Sequence, residues 1–274
     1  MSLFEVSPEK CNRDGICVAE CPVKIIELKD GASTPVPVPG ADAICINCGH
    51  CVAVCPTGAL SHKNMTPGQC PPVRKDWLLT PDQAEHFLRC RRSIRTYKKE
   101  LVEKEILARL IEIASYAPSG HNTQPVHWRV VHDSKKLHQL TGMVVDWMRA
   151  MIKEQPAMAA KMHMDLVVGA WDFGVDVVCR DAPHIILAHG LAADTTVQYA
   201  CTIAVAYLEL AAPSLGLGTC WGGFFGAAAM FWPPLQEALA LPQGHVCYGA
   251  AMVGRPKYKY QRLPARNTSK VTWA

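Results

Sequence analysis

Seven of the thirteen cysteines fall between residues 11 and 55, and their spacing restricts the chain more than any other feature. The segment CINCGHCVAVCP sets Cys45, Cys48, Cys51 and Cys55 at C-x2-C-x2-C-x3-C-P, the spacing that holds cubane iron-sulfur clusters. Zinc more usually takes two separated C-x2-C pairs. Upstream, CNRDGICVAECP repeats the pattern through Cys11, Cys17 and Cys21, with Asp14 where the second cysteine would stand. Each half then runs into an apolar segment, IIEL or GAL, so the module reads as an internal duplication.

The rest of the chain has to supply an ordinary core. At 274 residues and 49% hydrophobic, it is long enough for one large domain or two of common size. A net charge of +4 is mild, and nothing in it asks for nucleic acid as a partner, whereas small anionic ligands fit. No run of about eighteen apolar residues suggests a membrane, and MSLFEVSPEK lacks the zones of a signal peptide. The expectation is a cytoplasmic protein in a reducing compartment, its clustered thiols serving metal rather than disulfides.

Composition changes along the chain place a Cys-rich domain at 1–62, a proline-rich linker at 63–84 and a larger domain at 85–274. Pro67, Pro71, Pro72 and Pro81 disfavour regular structure in the linker. In the larger domain Ile106, Leu107, Leu110, Ile111 and Ala114 share one helical face, and a second helix is expected from Lys135 to about Lys153. VHWRVVH, PHIILAHG and VCYGAAMVG read as strands, and TVQYACTIAVAYLELAAPSLG as a central core helix. This order gives an α+β layered domain. Gly216-Leu-Gly218 follows a helix and lacks the third glycine of a dinucleotide fingerprint.

Two polar segments interrupt these elements. CRRSIRTYKKE gathers Arg91, Arg92, Arg95, Lys98 and Lys99 around Ser93, and a few guanidinium forks suit one buried phosphate. APSGHNTQPVHWRVV carries Ser119, Asn122 and Gln124 on a helix-to-strand turn, where amides and hydroxyls can read the edge of a planar ring. No Ser/His/Asp set, zincin helix or spaced acid pair singles out a catalytic side chain. Cys201 and Cys247 lie in apolar runs and read as buried thiols. Cys220, beside a glycine-rich turn, is a candidate pocket residue.

On these residues the first 55 positions resemble the bacterial two-cluster ferredoxins. The resemblance implies one cluster on Cys45, Cys48, Cys51 and Cys21, and a second on Cys11, Cys17 and Cys55. Asp14 would either complete a second 4Fe-4S cluster, the favoured form, or leave a three-iron 3Fe-4S cluster with that corner empty. Residues 89–274 resemble the nitroreductase superfamily through R-x-S-x-[RK], P-S-x-x-N-x-Q-P, the turn GLGTCWGGFFG and the late element VGRPKYKYQRLPARN. That resemblance implies FMN, with Arg91, Arg92, Ser93 and Arg95 on its phosphate, ribityl chain and pyrimidine edge. Ser119, Asn122 and Gln124 would reach the same cofactor, partly across a homodimer interface. Gly222 and Gly223 would offer backbone donors to the ring, and Arg262 and Arg266 would close on the phosphate. The Met- and Trp-rich residues 143–180 would form the lid over the substrate or, equally, part of the helix core, and Val126 stands where many members carry tryptophan.

The implied whole is an FMN-dependent oxidoreductase fed by its own clusters. A low-potential donor such as ferredoxin would load them, and an electron-poor small molecule (a nitroaromatic, quinone or activated alkene) would be reduced. The alternatives are an electron-transfer or redox-sensing flavoprotein without turnover, and a reductive dehalogenase on the same scaffold.

Overall fold

The halves of the cysteine module repeat one another in backbone conformation as well as in sequence. A computed structural model describes residues 2–31 and 33–274. In it Arg13 and Asn47 both take left-handed φ, at 59° and 53°; Gly15 and Gly49 follow at 73° and 72°, and Lys24 and Gly58 at 52° and 62°. Positive φ is costly for residues with a Cβ. At Gly49 a Cβ would also lie 2.6 Å from the Met65 sulfur.

These turns belong to the first of two units, Met1–Leu78 with His121–Thr123. Its elements are β1 (Phe4–Val6), α1 (Ile16–Glu20), β2 (Ile26–Glu27), β3 (Val36–Pro37), α2 (Ala41–Ile44), α3 (His50–Ala53) and β4 (Leu60–His62). The outer strands β1 and β4 pair antiparallel, as do the inner strands β2 and β3. Leu3, Phe4, Ile25, Ile26, Val52 and Leu60 form a small core that Cys17 and Cys21 join. Short helices on tight turns suffice here, because the thiols as well as the apolar side chains point inward.

The second unit, Leu79–Gly120 with Gln124–Ala274, begins with a departure from the sequence expectation. Pro81 opens helix α4 (Pro81–Cys90) instead of prolonging an irregular linker, and Thr80 and Gln83 form a reciprocal capping box around it. The first helical position has no intrahelical partner for its N–H, so proline costs nothing there. Then follow α5 (Lys104–Ala114), β5 (His127–Val131), α6 (Ser134–Glu154), α7 (Pro156–Lys161), α8 (Met164–Asp172), β6 (His184–Leu191) and α9 (Val197–Ala211). The chain continues through β7 (Gly218–Trp221), α10 (Gly223–Phe231), α11 (Pro233–Leu239) and β8 (His245–Gly254).

The four strands form one antiparallel sheet in the order β5-β6-β8-β7. Its residues alternate between two cores: Ile185 and Leu187 face the layer of α6, α10 and α11, while Ile186 and Ala188 face α5 and α9. The apolar run Ile185–Ala188 of β6 follows from burial on both faces, which strict alternation cannot provide. Two expectations change. Helix α9 is buried along one face only, through Ala200, Cys201, Ala204, Val205 and Leu208, and presents Tyr199, Ile203 and Tyr207 outward. Within residues 143–180, Trp147, Met148 and Met164 are core, whereas Met158, Met162, Leu166 and Phe173 are exposed. No helix among the described residues is long and apolar enough to cross a membrane.

Candidate functional site

Apart from Cys70, the thiols of the first unit separate into two groups. Cys21, Cys45, Cys48 and Cys51 line one cavity, walled by Leu3, Phe4, Ile25 and Ile26. The Cys51 thiol is pushed up to about 11 by burial and by the negative charge of Cys48, Cys21 and Cys45. Cys17 is raised in the same way, first by burial and then by Cys55, Asp14 and Cys11. Each set is therefore a cage of acidic groups that repel one another when ionised and that a cationic centre would relieve. Among the described residues no three His, Cys, Asp or Glu side chains are placed to hold a single metal ion. A cubane asks for something else, because each of its four irons takes one thiolate and the ligands stand around it. The two sets coincide with the ligand sets that the ferredoxin resemblance implies.

Backbone amides already point at some of these sulfurs. Asn47 N–H donates to Cys45 Sγ at 3.4 Å, and Ala59 N–H to Cys55 Sγ at 3.3 Å. The positive φ of Asn47 belongs to the turn that aims its amide at the sulfur. Asp14 uses Oδ1 to accept the Ile16 N–H at 3.1 Å, which ties the carboxylate to the start of α1 and leaves Oδ2 for another partner. His62, at the end of β4, is buried, and burial lowers its basicity. Its Nε2 lies 3.6 Å from Cys45 Sγ. Nothing in the sequence around GALSH distinguished it.

In the second unit the arginine segment converges on a buried acid. Arg91 Nη1 lies 3.5 Å from Glu209 Oε1, and Trp221 Nε1 donates to Glu209 Oε2 at 2.6 Å. Burial raises the Glu209 carboxyl, and hydrogen bonding to Trp221 and the charge of Arg91 pull it back. Ser93 forms a parallel bridge with Thr219, and the Ile94 N–H reaches the Thr219 carbonyl at 2.8 Å. That pairing fastens the segment to β7. Arg92 lines a cavity with Glu209, Gly218, Thr219 and Arg255. One Arg92 nitrogen donates to the Arg91 carbonyl at 2.6 Å, while its Nε is buried without a hydrogen-bond partner. An unpaired guanidinium nitrogen is a costly thing to bury, and here it marks a place for an acceptor such as phosphate. Arg95 lies beside it and donates to the Ser93 carbonyl at 3.4 Å.

The two glycines of the turn are not equivalent. The Gly222 N–H is spent on the Ala250 carbonyl at 2.8 Å. Gly223 opens α10, where a first-turn amide has no intrahelical acceptor, and a Cβ on it would meet no atom within 4 Å. Of the two, Gly223 is the one that can offer a donor to a ring in front of the turn. Cys220 is buried in β7 beneath that turn.

Ser119 and Gln124 come together elsewhere. The Gln124 N–H donates to Ser119 Oγ at 2.9 Å, and both line a cavity with Val126, Trp128, Ala200 and Ala204. Trp128 supplies aromatic surface two residues beyond the expected place. This cavity shares no lining residue with the arginine cavity. The Asn122 amide donates to the Asn47 carbonyl at 2.9 Å within the first unit. Arg262 and Arg266 lie on the exposed tail after β8. Glu209 was legible in outline, as the one acid in an apolar helix; Trp221 and Thr219 carried no such signal.

Residues 88–255 match the model of the nitroreductase family, and residues 9–60 match that of a 4Fe-4S dicluster domain. The chain belongs to the nitroreductase family. Membership makes it an FMN-type oxidoreductase with an iron-sulfur domain at its N-terminal end. Among its relatives, an Archaeoglobus fulgidus protein named for NADH dehydrogenase and NAD(P)H nitroreductase is 28% identical over 171 residues, 61% of this chain and 82% of the relative. The 5,6-dimethylbenzimidazole synthase of Rhodospirillum rubrum is 30% identical, over 51% of this chain and 68% of its own. Among solved structures, an FMN-bound nitroreductase of Bacteroides fragilis superimposes with a TM-score of 0.56 at 22% identity, covering 69% of this chain and 99% of the other. Iodotyrosine deiodinase, solved with FMN and 3-iodo-L-tyrosine, gives 0.53 at 21% identity, over 69% and 98%. At such identities the likeness concerns the nitroreductase fold.

Proposed function

We propose that this nitroreductase-family chain reduces an electron-poor small molecule, such as a nitroaromatic, quinone or activated alkene, with electrons that enter through two iron-sulfur clusters in its N-terminal unit. The observation that carries the reading is the coexistence, in one chain, of a cavity lined by Cys21, Cys45, Cys48 and Cys51 and a second cavity lined by Arg92 and Arg255. When bound, the clusters supply single electrons and FMN makes a two-electron reduction of them.

The chain's own residues would divide the work of binding. Arg91, Arg92 and Arg95 offer guanidinium donors to the anionic end of FMN, with Ser93 fastened to β7 beside them. Arg91 would exchange its long, 3.5 Å pairing with Glu209 for a shorter bond to phosphate, while Glu209 keeps Trp221 in place. Gly223 would offer its amide to the ring. Ser119 and Gln124 line a separate cavity, which suits a cofactor shared between two copies. Asn122, Arg262 and Arg266 would be drawn in by the same assembly. The outward stripe of Tyr199, Ile203 and Tyr207 on α9, with Tyr258, Tyr260, Leu263 and Trp273 exposed on the tail, is the kind of surface a homodimer would cover.

Anaerobic purification should yield FMN and about eight irons per chain, or about seven if Asp14 leaves its corner empty. The reduced protein is then mixed with a panel of nitroaromatics, quinones, activated alkenes and, because iodotyrosine deiodinase shares the fold, halogenated phenols. Rapid reoxidation by one class identifies the substrate type. Reoxidation at the same slow rate by every class would favour an electron-transfer or sensing role instead, and zinc without iron would end the cluster reading.

A further inference from the structure

Two side chains outside the ligand sets reach a ligand sulfur, the Thr57 hydroxyl at Cys55 and the His62 ring at Cys45. The His62 ring lines the cavity of Cys21, Cys45, Cys48 and Cys51. Its Nδ1 lies 3.1 Å from the backbone nitrogen of Asn64, and a backbone N–H can only donate. Nδ1 therefore carries the lone pair, and in the neutral ring the proton sits on Nε2. That nitrogen is 3.6 Å from Cys45 Sγ, so the proton is directed at the thiolate. The strand pairing of His62, with Phe4 and with Met65, uses its backbone and leaves the imidazole free for this task.

Cys45 thus stands apart from the other ligands in the kind of donors it receives. The Asn47 amide approaches the same sulfur at 3.4 Å, and the imidazole adds a second donor. Cys55, in the other set, has the Ala59 amide at 3.3 Å and the Thr57 hydroxyl at 3.6 Å, with no ring. An electron added to a cluster spreads negative charge onto its sulfurs, and a donor aimed at one of them stabilises the reduced form more than the oxidised form.

We infer that His62 tunes the cluster held by Cys21, Cys45, Cys48 and Cys51, donating its Nε2–H to Cys45 and raising that cluster's reduction potential. The inference rests on the proposal that these four thiols bind a cluster. It makes His62 a positioning residue rather than a ligand.

The test is a reductive titration of the full chain, purified anaerobically, followed by EPR in the wild type, His62→Phe and His62→Gln. His62→Phe should make one of the two cluster signals about tenfold harder to reduce, about 59 mV for one electron, and leave the other in place. His62→Gln, whose amide N–H can still reach the sulfur, should recover part of the shift. Full iron content with both potentials unchanged in His62→Phe would overturn the role of His62 alone, whereas a wild type without iron would overturn the underlying cluster reading. If the variants do not fold, pulsed EPR of the reduced wild type with 15N-labelled histidine decides. A histidine nitrogen coupling is expected, and it should persist in His50→Gln, since His50 lines the same cavity. Its absence in the wild type, or its loss in His50→Gln, would contradict the inference.

Discussion

Val102 is fully buried just ahead of α5, and two histidines satisfy its peptide groups. His184 Nε2 accepts the Val102 N–H at 2.8 Å and His132 Nε2 donates to the Val102 carbonyl at 2.9 Å, while the other nitrogen of His184 is bound to the His132 carbonyl. Neutral His184 is thus built into the native state. Burial, followed by the neighbouring His132, lowers it from 6.5 to about 4. An unfolded His184 takes a proton near 6.5, but the folded one resists until about 4, so its stabilisation is complete above 6.5 and is lost as pH falls between those values. At about 1.4 kcal/mol per pH unit the loss is on the order of 3 kcal/mol. Denaturant titrations at pH 7 and pH 5 should show about 2 kcal/mol of that loss in the wild type, the part accrued by pH 5, and a smaller drop in His184→Gln; equal drops would remove His184 from the account. At the flavin, Arg266→Ala should weaken FMN retention by about 1.5 to 3 kcal/mol, the usual worth of a charge-assisted bond. Equilibrium dialysis checks this, and unchanged affinity would take Arg266 off the site.

Helices and strands of the second unit were legible because their residues follow two different periods. The α5 stripe and the apolar run of β6 correspond to elements found at Lys104–Ala114 and His184–Leu191. Helix α4 was not legible, since its sequence offers no buried face and Pro81 looks like a breaker until it is placed at the first turn. Helix α9 reads as a central core helix in the sequence because Tyr199, Ile203 and Tyr207 count as hydrophobic wherever they point. Their exposure makes an element-scale prediction: Ile203→Asp should shift the protein toward monomer in sedimentation velocity at unchanged helical content. A dimer of undiminished strength would place the interface elsewhere.

Across the whole molecule, the metal site was more readable than the flavin site. Each cysteine motif is short, so its spacing alone announces a cluster, and Asp14, though not a thiol, falls into the same register, whereas the exchange of Cys21 and Cys55 between the motifs came only from the ferredoxin resemblance. The flavin contacts proposed are spread over residues 91 to 266, and only tertiary packing brings Arg91 to Glu209 or Ser93 to Thr219. Which amide of the Gly222-Gly223 turn is free depends on the Ala250 carbonyl, which no motif records. The central claim joins the two sites: electrons reach FMN through the clusters of the same chain. Stopped-flow reduction of FMN by a ferredoxin-type donor, in the wild type and in Cys48→Ser, tests it most directly. Cys48→Ser should fold, lose one cluster by iron analysis, and reduce its flavin much more slowly than the wild type, while its chemically reduced form still turns over an acceptor. A folded variant that has lost that cluster and still reduces its flavin at the wild-type rate would contradict the claim.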